Sequence, residues 1–251
     1  WVLKPPMEAS FPRRTVSFIS SFPLPDTSLC YFDVAQHPGV RGFVAVTIDD
    51  APCRFGQASS KVSDVGSLLK MYGARATFMV IGSFLEAHEA DMVDLLRDGH
   101  ELANHGMLDR AYHLDDAADF ARAVDECSTR ICRLQRAAGL DEGVRWFRAP
   151  HAKYTRSMES VLASRGLTNV MCDSYASCPV VQDGDYIGKF LAERARHGSI
   201  IVIHMPEHGF REWCLVGLRH LLAGLHKRGM QSVTVGELVG KAEGSACSDT
   251  E

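Results

Sequence analysis

Two acidic residues stand side by side where the apolar run F-V-A-V-T-I ends, at Asp49 and Asp50. Adjacent carboxylates can act together in a hydrolytic reaction, because one can bind a metal ion while the other accepts a proton from the metal-bound water. Paired acids also occur by chance, as at Asp115 and Asp116, in a segment that predicts the exposed start of a helix. The first pair therefore indicates chemistry only if other reactive side chains lie beside it.

A histidine and a further acid occur in the segment N-H-G-M-L-D, at His105 and Asp109. Their spacing of four residues places both side chains on one face if the segment turns helically. With Asp50 they would form a three-ligand metal site with room for water, and a catalytic metal lowers the pKa of such a water to about 7. The alternative is a hydrogen-bonded pair that caps a loop.

Three more ionisable side chains follow apolar runs, namely Arg148 in W-F-R-A-P, Asp173, and His204 in I-V-I-H. Arg148 could keep Asp49 ionised and oriented as a general base, with Asp173 bracing Arg148 in turn. An ordinary salt bridge at the rim of the fold is the alternative. His204 could donate a proton to a departing amine, because the unperturbed imidazole pKa of about 6.5 lies near neutral pH. A surface or core histidine is the alternative in that case.

These residues would be positioned by alternating strands and helices. Seven short apolar or β-branched runs predict strands, at 43–48, 76–81, 100–104, 144–147, 168–172, 199–204 and 232–235. Apolar residues at helical spacing, stopped by glycine, predict helices between them. About seven such repeats predict an α/β fold of roughly seven parallel strands, and they favour closure into a (β/α) barrel over an open doubly wound sheet. No G-x-G-x-x-G follows the first strand to indicate dinucleotide binding. A barrel would gather the polar residues that follow these strands at one face.

Composition excludes several classes of function. The 251 residues suffice for one barrel, and 46% hydrophobic with 23% charged residues is ordinary for a globular protein. A net charge of −4 carries no signature of polyanion binding, so nucleic acid is not expected as a partner. No apolar run approaches the roughly 20 residues of a membrane helix, so no membrane span is expected. Eight cysteines without a C-x-x-C pair do not indicate a structural metal site, and they leave disulfides open.

The chain divides into three parts. Six of the ten prolines lie within residues 1–38, which predicts a proline-rich N-terminal arm at 1–39. The barrel is expected at 40–242, and residues 243–251 read as a loose tail.

In this order the segments resemble those of the polysaccharide deacetylases of carbohydrate esterase family four, which are NodB-like, metal-dependent amide hydrolases. T-I-D-D resembles the family's T-F-D-D, G-H-E-L-A-N-H its G-H-E-[IL]-x-N-H, F-R-A-P its F-R-x-P, and I-V-I-H its closing L-x-H. The resemblance covers about residues 40–240. Single short motifs often match by chance, whereas several in order at strand ends rarely do.

The resemblance implies a distorted (β/α) barrel. It also implies removal of an N-acetyl group from an amino-sugar glycan, such as chitin or its oligomers, by metal-activated water. It assigns the base to Asp49, ligation to Asp50 and His105, orientation of the base to Arg148, support of that arginine to Asp173, and the acid to His204. It also implies substrate contacts at His151, Tyr175 and Val202. A secreted or cell-surface location is favoured on the same ground.

Three departures from the family pattern matter. Asp109 stands where the family has a second histidine, and an Asp-His-Asp set resembles a variant branch. With two carboxylates the divalent metal is still expected to be zinc, but manganese, cobalt, nickel and iron gain weight. His151 follows F-R-A-P in place of an aromatic residue, although its backbone N–H could still contact an oxyanion. The tryptophan expected near the fifth strand is absent, and Met171, Cys172 and Tyr175 lie nearby.

Two other functions stay open at this point. The first is a catalytically inactive relative that binds glycan, which the departures at 109 and 151 support. The second is an amidase of the same fold acting on a non-glycan amide. The sequence does not indicate an oligomeric state.

Overall fold

The computed structural model describes residues 28–244, and its centre is one curled sheet. The strands of the described part are β1 (Phe43–Ala51), β2 (Thr77–Val80), β3 (Glu101–Asn104), β4 (Trp146–Phe147), β5 (Thr168–Asn169), β6 (Ser174–Tyr175), β7 (Ile200–His204) and β8 (Gln231–Val233). Their order in the sheet is β5-β4-β3-β2-β1-β7-β6, with β8 paired to the start of β1, and every pairing is parallel. The predicted distorted barrel of roughly seven parallel strands is confirmed, and the short β6 is the strand that the sequence did not indicate.

Helices connect most of the strands and cover the outside of the sheet. They are α1 (Val62–Met71), α2 (Glu89–Arg97), α3 (Ala117–Ala138), α4 (Arg156–Ala163), α5 (Gly184–Arg194), α6 (Trp213–Lys227) and α7 (Val235–Gly244). The longest, α3, begins where the Asp116 side chain accepts a hydrogen bond from Asp119 N, and it ends at Gly139 with φ 84°. These are the usual N-terminal and C-terminal caps. None of the described helices is long and apolar enough to cross a membrane.

The two faces of strand β1 point to different sides of the barrel wall, one toward the outer helices and one toward the interior. Val44, Val46 and Ile48 are fully buried in the core cluster that the outer helices share. Because side chains alternate along a strand, Thr47 and Asp49 point to the opposite face, into the barrel. The apolar alternation of β1 therefore delivers Asp49 to the interior at the carboxyl end of the strand.

A bulge at the end of β1 gives Asp50 access to the same interior. The pairing with β2 shifts by one residue between Ile48 and Ala51, and Asp50 in this stretch has φ 61°. A bulge of this kind adds one residue to a strand and re-aims its side chains. Asp50 consequently lines the same pocket as Asp49 and does not turn to the opposite face.

Residues 28–39, the end of the predicted N-terminal arm, lie against the sheet. Leu29 pairs with Val170 after β5, and Tyr31 pairs with Ser199 before β7. This segment thus bridges strands that do not pair with each other in the barrel wall. The rest of the predicted arm, and the predicted tail from residue 245 onward, lie outside the described residues.

Candidate active site

One pocket at the carboxyl ends of the strands collects most of the residues singled out in the sequence. Its volume is about 370 Å³, which lies in the range of small-molecule sites. The sequence and the resemblance indicated ten site residues, and nine of them line this pocket: Asp49, Asp50, His105, Asp109, Arg148, His151, Tyr175, Val202 and His204. The tenth, Asp173, does not.

Asp49 is held by a buried arginine. Arg148 Nη1 donates to Asp49 Oδ1 at 2.5 Å and to Thr47 Oγ1 at 2.7 Å. The same guanidinium donates through Nε to the carbonyl oxygen of Val170 at 2.8 Å and through Nη2 to that of Met171 at 2.9 Å. Arg148 is therefore fixed from several sides, and its charge-assisted hydrogen bond orients Asp49.

Asp50 and His105 form the second buried pair. His105 Nδ1 donates to the carbonyl oxygen of Arg148 at 2.7 Å, which leaves Nε2 directed at Asp50 Oδ1, 3.4 Å away. Burial alone would raise the pKa of Asp50, but His105, His204 and Arg211 hold it well below its usual range. Burial likewise opposes protonation of His105, yet Asp49 and Asp50 raise its pKa above the ordinary value.

Two arginines that the sequence analysis did not identify contact Asp50. Arg211 Nη1 donates to Asp50 Oδ2 at 2.7 Å, and Arg54 Nη2 lies 3.6 Å from the same oxygen. Arg54 follows the acid pair directly in A-P-C-R, and Arg211 lies in H-G-F-R soon after β7. The sequence signal for both is a basic residue in the loop that follows β1 or β7.

Asp109 lies at the rim of the pocket. Its Oδ2 is 3.6 Å from Arg54 Nη2, and its Oδ1 is 3.5 Å from His151 Nε2. The expected helical turn between residues 105 and 109 does not form, because Gly106 has φ 84° and bends the chain. Asp109 therefore does not share a helical face with His105.

The side chains fit a metal ion only in part. Asp50 Oδ1 and His105 Nε2 are close enough for both to bind one ion at the usual ligand distances of about 2.0–2.2 Å. Among the described residues, however, no three His, Cys, Asp or Glu side chains are gathered closely enough to hold an ion. The three-ligand set of Asp50, His105 and Asp109 is thus not assembled, since Asp109 is engaged by Arg54 and His151.

His204 contacts a thiol that the sequence analysis did not single out. Cys178 Sγ lies 3.1 Å from His204 Nδ1, and Cys178 is fully buried. Burial raises the pKa of Cys178 well above its ordinary value, so the group stays a thiol. Burial lowers the pKa of His204, but the contact with Cys178 and the charges of Asp49 and Asp50 outweigh this effect and raise it.

The expected support of Arg148 by Asp173 is wrong. Asp173 Oδ2 accepts a hydrogen bond from Ser199 Oγ at 2.8 Å, and Oδ1 accepts one from Ile200 N at 3.1 Å. Backbone carbonyl groups take the donors of Arg148 that a second carboxylate would have needed. Asp173 instead ties the segment before β6 to the start of β7.

An apolar wall lies beside His204. The Tyr175 ring is centred 6.0 Å from the His204 ring, and Val202 is the register partner of Tyr175 on the neighbouring strand. Met171 also lines the pocket. These side chains stand near the fifth and sixth strands, where a tryptophan was expected. They make the lining of the pocket partly apolar.

Left-handed backbone is concentrated at the pocket. Five non-glycine residues of the described chain have positive φ, and four of them line it: Asp50, His151, Ala152 and Arg211. Such conformations cost about 1–3 kcal/mol each and gather at functional sites. The bulge and the loops therefore hold the pocket in a specific, strained shape.

The cysteines of the described residues are all free thiols. They are Cys30, Cys53, Cys127, Cys132, Cys172, Cys178 and Cys214. Disulfides, which the sequence left open, are not formed among them.

Comparisons with known proteins agree with this architecture. Residues 37–170 match the family profile described as "Polysaccharide deacetylase". The chain is 28% identical over 195 residues to a chitooligosaccharide deacetylase of Sinorhizobium fredii, covering 74% of this chain and 86% of the relative. It is 26% identical to a bifunctional xylanase/deacetylase of Pseudobutyrivibrio xylanivorans, with 78% of this chain covered, but it spans only 30% of that longer protein.

Solved structures show the same fold. The Xyl-CE4 domain of a multidomain xylanase from the hindgut metagenome of Trinervitermes trinervoides superposes with a TM-score of 0.69 at 23% identity, over 80% of this chain and 91% of that one. A CE4 family pseudoenzyme from Bacillus anthracis superposes with a TM-score of 0.68 at 14% identity, over 86% and 70% of the two chains. At these identities the likeness concerns the fold alone.

Proposed function

The chain belongs to the polysaccharide deacetylase family, and on this premise we propose that it hydrolyses N-acetyl groups on N-acetylglucosamine-containing glycans of the chitin or chito-oligosaccharide type. The observation that carries the proposal is the buried pair of Asp49 and Arg148, which lines the same pocket as His204. Amide hydrolysis needs a base and an acid together, because the attacking water loses a proton and the leaving amine gains one.

Asp49 takes the proton of the attacking water through Oδ2, because Oδ1 is occupied by Arg148. The water oxygen bonds to the acetyl carbon, and the backbone N–H of His151 is the proposed donor to the resulting oxyanion. The carbon–nitrogen bond then breaks as His204 gives its proton to the nitrogen. The products are acetate and the free amino sugar.

Tyr175 and Val202 are proposed to contact the substrate. They line the apolar side of the pocket beside His204, where the methyl group of an acetyl substituent would lie next to the departing nitrogen. A small apolar group buried there loses contact with water, which favours acetylated over free amino sugar.

A divalent metal, with zinc expected before manganese, cobalt, nickel or iron, belongs to the proposal as a cofactor. Asp50 and His105 are the residues proposed to contact it. Asp109 can join them only if its contacts with Arg54 and His151 open. Such an ion would supply Lewis-acid chemistry to the pocket.

A glycan-binding relative without activity is the second candidate. The observation that favours it is the arginine pair on Asp50, which neutralises the carboxylate that would otherwise serve a metal. This reading predicts that glycan binds and that no acetate is released.

The test is acetate release from a short chitin oligomer by the full chain, followed with a coupled acetate assay. We expect release by the wild type and a loss of about 100-fold or more in Asp49→Asn, because the general base is removed. The matched control is Asp94→Asn, since Asp94 is an exposed acid on α2 and should leave the rate unchanged. Binding of the oligomer without acetate release by the wild type would replace this proposal with the second candidate.

A further inference from the structure

We propose that Arg54 is a built-in cation that competes with a divalent metal for Asp50 and Asp109, so that metal binds there only when Arg54 leaves. Arg54 Nη2 lies 3.6 Å from Asp50 Oδ2 and also 3.6 Å from Asp109 Oδ2. This nitrogen is buried and makes no hydrogen bond. It therefore lies between two of the three side chains that the sequence indicated as ligands, where a shared ion would have to lie.

Arg54 is held at this position by the fold. Its Nε donates to Glu207 Oε1 at 3.0 Å, and its backbone N–H donates to Glu207 Oε2 at 3.1 Å. Glu207 is fully buried, and the Phe210 ring is centred 4.5 Å from the Arg54 guanidinium carbon. A buried carboxylate and an aromatic face together restrict the side chain and favour its position beside Asp50 and Asp109.

The charges around the two acids explain why a metal and Arg54 exclude each other. Asp50 is already paired with Arg211 at 2.7 Å, and Asp109 also meets His151. With Arg54 in place, two carboxylates therefore face two guanidinium groups. A divalent ion added beside Arg54 would experience repulsion that the partly buried pocket screens poorly. Without Arg54, one carboxylate charge is left uncompensated, and a divalent ion can neutralise it.

The experiment is a calorimetric titration of the metal-free full chain with zinc chloride. We expect Arg54→Gln to bind zinc at least about tenfold more tightly than the wild type, because the competing charge is gone. Arg54→Lys keeps the charge and should bind about as weakly as the wild type. The matched control is Arg145→Gln, which removes an exposed guanidinium beside Glu101, outside the pocket, and should leave the zinc affinity unchanged.

Removing Arg54 leaves Glu207 buried without its charged partner, which can destabilise the fold. The double variant Arg54→Gln/Glu207→Gln removes both charges of the pair, and we expect it to show the same gain in zinc affinity. Zinc binding to either variant that is no tighter than to the wild type would overturn the proposal. The inference rests on the proposed function only through its cofactor, and because the titration uses no glycan, an inactive protein can still support it.

Discussion

Asp49 and His204 are register partners on the neighbouring strands β1 and β7. Parallel strands lie about 4.8 Å apart, and paired residues project to the same face of a sheet. The backbone continues this pairing, since Met205 N donates to the carbonyl oxygen of Asp49 at 2.9 Å. The separation of the proposed base and acid is therefore set by the hydrogen bonds of the sheet.

Because the base and the acid act in one reaction, their removal should not be additive. We expect Asp49→Asn and His204→Gln each to lower the rate of acetate release by about 10²–10⁴-fold. The double variant should be about as slow as the slower single variant, since residues that act as a unit show this behaviour. The measurement is kcat on the same chitin oligomer, and a double variant slowed by the product of the two single effects would contradict a shared step.

Cys178 should control the protonation of His204. The thiol contact is one of the causes that raise the pKa of His204 against the effect of burial. Replacing Cys178 by Val should therefore lower this pKa and move the alkaline limb of the pH–rate profile to lower pH. Cys178→Ser retains a hydrogen-bonding group and should keep the wild-type profile. Equal profiles in wild type and Cys178→Val would mean that the contact does not tune the acid.

Part of the site follows from local sequence. The alternation of apolar residues in β1 predicts that Asp49 points inward, and the position of His204 at the end of an apolar run places it at the rim. The bulge that re-aims Asp50 depends on a one-residue mismatch between β1 and β2, so it is a property of two strands together. No pattern within one strand reports such a mismatch.

The remaining contacts depend on groups far apart in the chain. Arg211 is 161 residues from Asp50, and Glu207 is 153 residues from Arg54. Local spacing gave a wrong expectation for Asp109, because the left-handed turn at Gly106 replaces a helical turn. The position of Asp173 after a strand also gave a wrong expectation, because backbone carbonyl oxygens accept the hydrogen bonds of Arg148.

Two buried groups should make stability depend on pH in opposite directions. Burial lowers the pKa of His100 from 6.5 to about 4, so the stability that His100 contributes is present above pH 6.5 and is lost as the pH falls toward 4. Burial raises the pKa of Asp173 from 3.8 to about 6 despite its hydrogen bonds with Ser199 and Ile200. Its contribution is present below pH 3.8 and is lost as the pH rises through 6.

The free energy of unfolding at pH 7 and pH 5, measured with urea, separates these effects. Between pH 7 and pH 5, the free energy of unfolding of His100→Gln should fall by about 2 kcal/mol less than that of the wild type. For Asp173→Asn it should fall by about 1 kcal/mol more than that of the wild type. Both replacements keep an acceptor for the backbone N–H that the native side chain binds, at Ala76 and Ile200 respectively. Identical changes in all three proteins would show that neither group titrates differently on folding.

Gly106 should be required both for its left-handed backbone conformation and because a side chain there would collide with Tyr112. Gly106 and Gly139 both have φ 84°, but a Cβ at Gly106 would lie 2.6 Å from Tyr112 Cε2, whereas one at Gly139 meets nothing within 4 Å. Alanine at either position should cost about 1–2 kcal/mol for the backbone. Gly106→Ala should cost at least about 1 kcal/mol more, because overpacking against a buried ring adds to the strain.

The displacement of Tyr112 should also change the position of Asp109 in the pocket. The Tyr112 hydroxyl accepts a hydrogen bond from Leu108 N at 2.7 Å, and Leu108 directly precedes Asp109. Urea unfolding of the two alanine variants measures the difference in stability. Acetate release should fall in Gly106→Ala and remain at the wild-type level in Gly139→Ala, whose site is the end of α3, away from the pocket. Equal losses of stability in both variants would mean that Tyr112 moves aside at no cost and that only the backbone conformation matters.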